Sequence, residues 1–503
     1  MAETDECTFS NTLDSSLSQQ SLTNILGSAN ATESLNISLI APAAGAIKTI
    51  ASFNPKFTYS IFGDDERIFG YKDLKIDLRY RTFDMRPNVK VSYGKKFQSV
   101  GETEAADVDA TLKAHLPLVA FESAREFNTG AQSQPDGWAP PGTLHSSFEG
   151  QDGTYEVWKG CLADPAVRQI VTRVEALVPM FIEGGSYISR ETDNEEDPWK
   201  VPEDANRWTV FFLYRKQTSV ETSDKASYTF VGYATVYRFF CFRPPTPPSS
   251  EWDLPKEEFN LLEELPCRSR LSQFLVLPPF QGKGIGARLY KTIFEHYYSS
   301  PQTLELTVED PNEAFDDMRD LADLTFLRSL PEFSNVKINT SIALPSPPSG
   351  TVPKNLVDLE LLRNLRQKTK IVERQFKRLI EMQTMSQLPA SVKVGFGEEQ
   401  KAKPTKGERH HYHLWQLFVK QRLYRQNADV LGQLDQSERS EKLNEALGSV
   451  ELEYARLLDW HARWEKHAAA ASAAGAESSS SKRKSVDDAE DQGASKKVRV
   501  EDA

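Results

Sequence analysis

The run LVLPPFQGKGIGARLY, from Leu275 to Tyr290, limits what this chain can fold into more than any other stretch. Gly282, Gly284 and Gly286 stand between an apolar run and a segment with helical spacing. One glycine turns a chain cheaply; three in five positions leave backbone bare for something to approach closely. If a strand precedes and a helix follows, that bare backbone lies where the first N–H groups of the helix point outward, an anion site. Three phosphate-loop motifs compete for the run. The P-loop pattern fails, because Lys283 is followed by Gly284 and no Ser or Thr is placed to hold magnesium. The dinucleotide fingerprint is matched by Gly282, Gly284 and Ala287, with Glu309 further on. Against it, Pro278-Pro279-Phe280 separates strand from glycines, and no further βαβ units follow. The third motif is Gln281-x-x-Gly284-x-Gly286-Ala287, in which side chains at Gly284 and Gly286 would block a pyrophosphate from the backbone.

The flanks supply the context. RWTVFFLYRK, SYTFVGYATVYRFFCF and CRSRLSQFLVL are strand candidates rich in aromatic and β-branched residues, ARLYKTIFEHYY is a helix and TLELTV a further strand. This β-β-β-α-β order is an α+β sheet with a crossover, so its last two strands should be parallel. Upstream, AVRQIVTRVEALVPMFIE has helical spacing, GAQSQPDGWAPPGTLHSS is loop-like, and KFTYSIFG, YKDLKIDLRY and NVKVSYGKKF carry β-type signals. After the proline-rich ALPSPPSGTVP the chain turns helical, with Leu443, Leu447, Val450, Tyr454 and Leu457 forming one stripe. The expected order is a disordered arm (1–44), a mixed α/β domain (45–150), an α+β domain (151–345), a helical region (355–467) and a low-complexity, disordered tail (468–503).

Composition bounds the function. With 60 basic and 72 acidic residues among 503, the net charge of −12 argues against direct nucleic-acid binding and favours a cationic partner in any cleft. Cys7, Cys161, Cys241 and Cys267 lack the spacing of a zinc site or a disulfide framework. The start MAETDECTFS lacks the features of a signal peptide, and no run reaches the length of a membrane span. An intracellular, soluble protein without membrane association is expected. His410, His411 and His413 in RHHYH lack ligand partners, so no metal is expected.

The third glycine motif resembles motif A of the GNAT acetyltransferases. FGDDERIFGYKDLKI, FIEGGSYI, VGYATVYRFF, LSQFLVLPPFQGKGIGARLY and TVEDPNEAFDDMRD, in this order, resemble the type B histone acetyltransferase catalytic subunits. The likeness covers roughly residues 45–345 and rests on five separated blocks. It implies an α+β GNAT N-acetyltransferase fold with an N-terminal mixed α/β domain and a C-terminal helical region. It also implies transfer of acetyl from acetyl-CoA to a lysine of newly synthesised histone H4, accompanied by histone H3, and a WD-repeat histone-binding subunit as partner. Two alternatives stay open: a GNAT enzyme acting on another protein or a polyamine, and a histone-escort scaffold with weak catalysis.

The resemblance assigns the general base to Glu309, with Asp310 and Glu183 as additional carboxylates. A base matters because neutralising a lysine at neutral pH spans about 3.4 pK units, roughly 4.6 kcal/mol. Direct attack in a ternary complex is expected, since no cysteine lies near the motifs. By the same resemblance, backbone groups of Phe274, Leu275 and Val276 hold the pantetheine arm and acetyl carbonyl. Gln281, Gly282, Lys283, Gly284, Ile285, Gly286 and Ala287 hold the pyrophosphate, and Asn312 touches acetyl-CoA. Some relatives have an arginine where Leu321 aligns. Asp64, Asp65 and Glu66 match a tail-contacting acidic block, with Trp208, Tyr237, Arg238 and Phe239 in the groove. From the residues alone, 64–66 could equally be a solvated turn, and Trp208 and Phe239 could be core. The basic clusters Lys482-Arg483-Lys484 and Lys496-Lys497-Val498-Arg499, separated by acids, read as an import signal, predicting both cytoplasm and nucleus.

Overall fold

The computed structural model describes residues 28–43, 45–191, 197, 199–218, 226–241, 265–344, 353–394 and 402–490, with side chains up to 463 in the last segment. The chain forms two compact units, Met1–Asn312 and Glu313–Ala503.

The first unit contains two larger sheets. In one, β1 (Leu35–Ala43), β2 (Ala46–Phe53), β3 (Lys75–Arg81) and β4 (Pro87–Ser92) lie in the order β2-β1-β3-β4. Only β1 and β3 are parallel. The period of two in KIDLRYR buries Ile76, Leu78 and Tyr80 on one side. Helix α1 (Val108–His115) is capped by Asp107, and α2 (Ala124–Ala131) by a Ser123–Glu126 capping box. The arm expected to be disordered over 1–44 is ordered from Ser28. Asn30 caps a helical turn at Ala31–Ser34, and the fully buried Leu35, Ile37 and Leu39 anchor β1. Residues 1–27 lie outside the described residues.

The larger sheet contains β5 (Thr143–Gly150), β6 (Gly153–Cys161), β7 (Trp208–Thr218), β8 (Ala226–Phe240), β9 (Cys267–Val276) and β10 (Thr303–Val308). The strands are neighbours in chain order. All adjacent pairs are antiparallel except β9 and β10, joined through α4 (Ile285–Ser299) as the crossover requires. β8 is buried on both faces from Tyr228 to Val236, which explains its unbroken apolar run. The end of the loop-like stretch, TLHSS, instead begins β5. This strand is exposed along much of its length, with Leu144 half exposed, so it carries no apolar alternation to read. The helical pattern that follows β6 breaks up: α3 (Pro165–Val174) passes into a 3₁₀ turn at Glu175–Leu177 and a short turn at Val178–Phe181. Pro179, which cannot donate to the preceding turn, accompanies the break.

The second unit is helical: α5 (Glu313–Arg328), α6 (Leu359–Thr369), α7 (Glu373–Ser386), α8 (Lys406–Gln426) and α9 (Gln436–Glu490). Its core includes Leu379, Met382, Trp415, Val419, Leu447, Tyr454 and Leu457. Arg422 and Tyr454 satisfy the buried Glu381 carboxylate with bonds of 2.7–2.9 Å. α5, expected within the α+β domain, belongs here because its buried Asp320 and Asp323 bond Gln375 and Arg378 of α7. α9 continues beyond Ala468, where low complexity suggests disorder; its alanine-rich stretch has high helix propensity. His410 Nε2 lies 2.8 Å from the Ile342 carbonyl, and no metal-holding cluster occurs among the described residues.

Candidate active site

Two strands that part company define the site. The β9–β10 ladder ends at Leu271↔Val308, followed by one bond from Glu309 N–H to the Leu271 carbonyl (2.9 Å). β9 continues to Val276, paired on its other side with β8. Beyond Ser272 no strand among the described residues pairs with the β10 side of β9, and the backbone of Leu275 and Val276 runs on beside the gap between the diverging strands. The Leu275 and Val276 side chains are core. Gly232 is required on the paired side, since a Cβ there would come within 2.2 Å of the Leu275 carbonyl oxygen.

The glycine loop closes one end of this gap. Gln281 Nε2 donates to the Val276 carbonyl at 2.7 Å, tying the loop to the strand end. Gly282 (φ 76°) and Gly284 (φ 73°) take left-handed conformations, and a Cβ on either would meet nothing within 4 Å. Gly284 is the N-cap of α4 and offers no side-chain cap, so no cap side chain takes the N–H groups of the first turn, Gly286 and Ala287 among them. Ile285 points into the core. The arrangement suits a pyrophosphate. Lys283 Nζ is 3.3 Å from Asp152 Oδ2 at the β5–β6 turn, where Arg215 (3.1 Å) and the Tyr155 hydroxyl (2.5 Å) also reach Asp152. The Tyr155 hydrogen bond, followed by Lys283 and Arg215, holds Asp152 below the usual carboxylate range. Asn312 is exposed at the end of the unit, whereas Leu321 is buried on α5.

Glu309 lies at the divergence. Its Oε2 accepts from Ser272 Oγ (2.5 Å) and its Oε1 from Arg270 (3.3 Å). These three residues line a groove of about 420 Å³ with Trp208, Tyr237 and Phe239. Trp208 meets Tyr237 at 4.8 Å and Tyr237 meets Phe239 at 4.7 Å between ring centroids. Phe239 is 37% exposed, so the row is a surface rather than core. Arg238 is not brought into this groove. Strand alternation sends it to the opposite face, where it donates to Thr209 Oγ1 at 3.3 Å. Asp310 is exposed and holds a left-handed φ of 33°, a conformation uncommon for residues other than glycine.

The groove wall, residues 186–191, was not evident from sequence. Ser186 accepts from Gln273 (2.7 Å), and Arg190 lies between the rings of Tyr187 (4.4 Å) and Trp199 (4.0 Å). Arg190 Nε is 2.9 Å from the fully buried Glu175, which also accepts from Ser189 Oγ (2.5 Å). Burial pushes Glu175 up to about 7, opposed by Ser189 and Arg190. Glu183 is exposed just before this wall, and Gly184 N–H donates to the Tyr59 hydroxyl (3.0 Å). That contact brings the turn bearing Asp64 and Asp65, both exposed, alongside. Glu66 is committed internally: its Oε1 accepts from Thr58 N–H, Thr58 Oγ1 and Tyr59 N–H.

His115 Nδ1 lies 2.5 Å from the Tyr187 hydroxyl; burial, then the Arg190 charge, lower His115 to about 4. An unfolded histidine binds a proton below about 6.5, so the folded state loses stability as pH falls from there through 4. His115→Gln should reduce the stability lost between pH 7 and pH 5 by about 2 kcal/mol, read by urea denaturation. An identical loss in parent and variant would show that His115 is not held neutral.

A family model described as histone acetyl transferase HAT1 N-terminus matches residues 27–183, and one described as fungal HAT1, C-terminal, matches 351–388. A Gibberella zeae protein named histone acetyltransferase type B catalytic subunit is 50% identical over 481 residues, 94% of this chain and 98% of its own length. Proteins of the same name from Pyricularia oryzae and Aspergillus oryzae are 47% and 37% identical, over 95% and 85% of this chain and 99% and 85% of their own lengths. Likeness of this extent, running through both units, settles membership: the chain belongs to the type B histone acetyltransferase catalytic subunits and is a histone N-acetyltransferase.

Proposed function

We propose that the enzyme moves acetyl from acetyl-CoA to a lysine in the N-terminal tail of newly synthesised histone H4, carried with H3, with Glu309 as general base. The observation that carries this reading is the position of Glu309, between the end of the β9–β10 ladder and the aromatic groove. The pyrophosphate of acetyl-CoA takes the N–H groups of the 281–287 loop, and the pantetheine takes the backbone of Phe274 to Val276. The lysine amine attacks the acetyl carbonyl, its proton passes to Glu309, the C–N bond forms and the C–S bond breaks. The coenzyme A thiolate leaves and is protonated. Asp310 and Glu183 are further carboxylates for holding the ammonium. Incubation with labelled acetyl-CoA and H3–H4, H4-tail peptide or spermine should label the histone tail. Label confined to spermine would overturn the substrate assignment.

Asp64 and Asp65 attract the basic tail across a solvated surface, a contact that salt screens. Asp64→Asn/Asp65→Asn should raise the peptide KM several-fold at low salt with little change in kcat, and flatten the salt dependence. Glu66 is left intact because its loss would uncap the turn at Tyr59–Phe62. Equal salt sensitivity in parent and variant would remove these residues from the tail site.

A WD-repeat histone-binding partner and distribution between cytoplasm and nucleus belong to the same proposal. The cluster at Lys496–Arg499 lies outside the described residues, and the side chains of Lys482–Lys484 are not described. Truncation after Gly475 should lower the nuclear share and leave acetylation intact; equal nuclear signal by imaging would assign import elsewhere.

A further inference from the structure

A fixed cation stands beside the base of an enzyme whose substrate is itself a cation. Arg270 donates to Glu309 Oε1 at 3.3 Å, while its guanidinium lies 4.4 Å from the centroid of Phe239. Phe239 belongs to the aromatic row of the groove, so one side chain joins the base to the peptide surface. The Arg270 side chain lines the groove and is 37% exposed, so a lysine bound there can come near it. If binding the ammonium were the sole requirement, this position would hold a carboxylate, because a like charge at close range repels it. Acetyl transfer, however, needs the neutral amine, and a nearby cation favours that form.

We propose that Arg270 is a positioning residue for acetyl transfer: it holds the Glu309 carboxylate in the groove and disfavours the protonated form of the target lysine. This rests on the reading of Glu309 as the base. The ammonium proton passes to Glu309; the guanidinium donates hydrogen bonds and gives up no proton. The other charged groups here come from separate elements. Glu191 is paired with Lys200 (3.2 Å) and Arg190 with Glu175 (2.9 Å). Asp204 precedes β7, Asp310 follows Glu309, and Tyr187 and Tyr237 line the groove with their hydroxyls at His115 Nδ1 (2.5 Å) and Arg207 (3.3 Å). Among the groove-lining residues, Arg270 is the cation in contact with Glu309.

The experiment is a pH profile of kcat on H4-tail peptide at saturating acetyl-CoA, for parent, Arg270→Gln, Arg270→Lys and Glu309→Gln. Acetyl-CoA calorimetry on each variant reports the fold. Without the cation the bound ammonium keeps its proton to higher pH. The Arg270→Gln profile should therefore move about 0.5–1 pH unit toward alkali, a loss of up to about tenfold at neutral pH. Its peptide KM should not rise, and Arg270→Lys should keep the parental profile. An Arg270→Gln profile that superimposes on the parent after scaling overturns the proposal, because a purely structural role lowers activity equally at every pH. An alkaline shift of equal size in Arg270→Lys also overturns it. Full activity in Glu309→Gln would instead overturn the reading of the base.

Discussion

Glu309→Gln should bind acetyl-CoA like the parent and lose about 10²–10⁴-fold in turnover on histone at neutral pH. The substitution keeps the shape of the side chain, and the amide oxygen can still accept from Ser272 Oγ, which now donates to Glu309 at 2.5 Å. What is lost is the proton acceptor. A solvated lysine is almost wholly protonated at neutral pH, so without a base the reaction draws on a small neutral fraction. The residual rate of the variant should therefore climb as pH rises and supplies neutral amine. Calorimetry with acetyl-CoA separates this from a binding defect. Unchanged turnover at neutral pH would move the base to Asp310 or Glu183.

Gly286→Asp should lower acetyl-CoA affinity by about 10–100-fold while leaving the protein folded. Gly286 is the second residue of α4, whose first turn carries no side-chain cap. An aspartate in the first turn of a helix is favourable in the free protein, because it faces the positive end of the helix dipole. The same carboxylate would stand against a pyrophosphate and occupy donors meant for it. Stability and affinity should thus separate, with the melting temperature held or raised and binding weakened. Parental affinity in a folded variant would show that the cofactor does not use this loop.

The parts of the site legible in the sequence are those set by backbone geometry or strand period. The spacing of Gly282, Gly284 and Gly286 announced a turn into a helix, and Gly282 and Gly284 there take left-handed conformations that other residues rarely adopt. The order of strand and helix around them required β9 and β10 to be parallel, as they are. Trp208, Tyr237 and Phe239 could not be divided between core and groove by residue type, because an aromatic side chain suits either. The long-range pairing of Trp208 with Tyr237, and the partial exposure of Phe239, assign them to the groove. Arg238 lay in the same run, yet period-two alternation turns it away. Glu66 belongs to an acidic triplet in sequence, but the nearby Thr58 and Tyr59 amides take its carboxylate.

The wall of the groove was hidden for a different reason. Glu175 and Arg190 are separated by 15 positions and become an ion pair only when α3 gives way to a 3₁₀ turn and the chain reverses. Nothing local marks either residue, and a buried charge pair leaves no periodic trace. Asp152, which meets Lys283 across 131 positions, is another product of folding rather than of pattern. The β5–β6 hairpin that carries it was missed because an exposed edge strand lacks apolar alternation.

A crystal structure of the enzyme with coenzyme A and an H4-tail peptide tests the central claim most directly, through the distance from the Glu309 carboxylate to the target lysine Nζ. The account predicts the pantetheine along the open edge of β9 at Phe274 to Val276, with the Nζ within hydrogen-bond reach of Glu309, directly or through one water (about 2.6–3.2 Å per bond). A lysine held at another carboxylate, with Glu309 facing away from the sulfur, would contradict it.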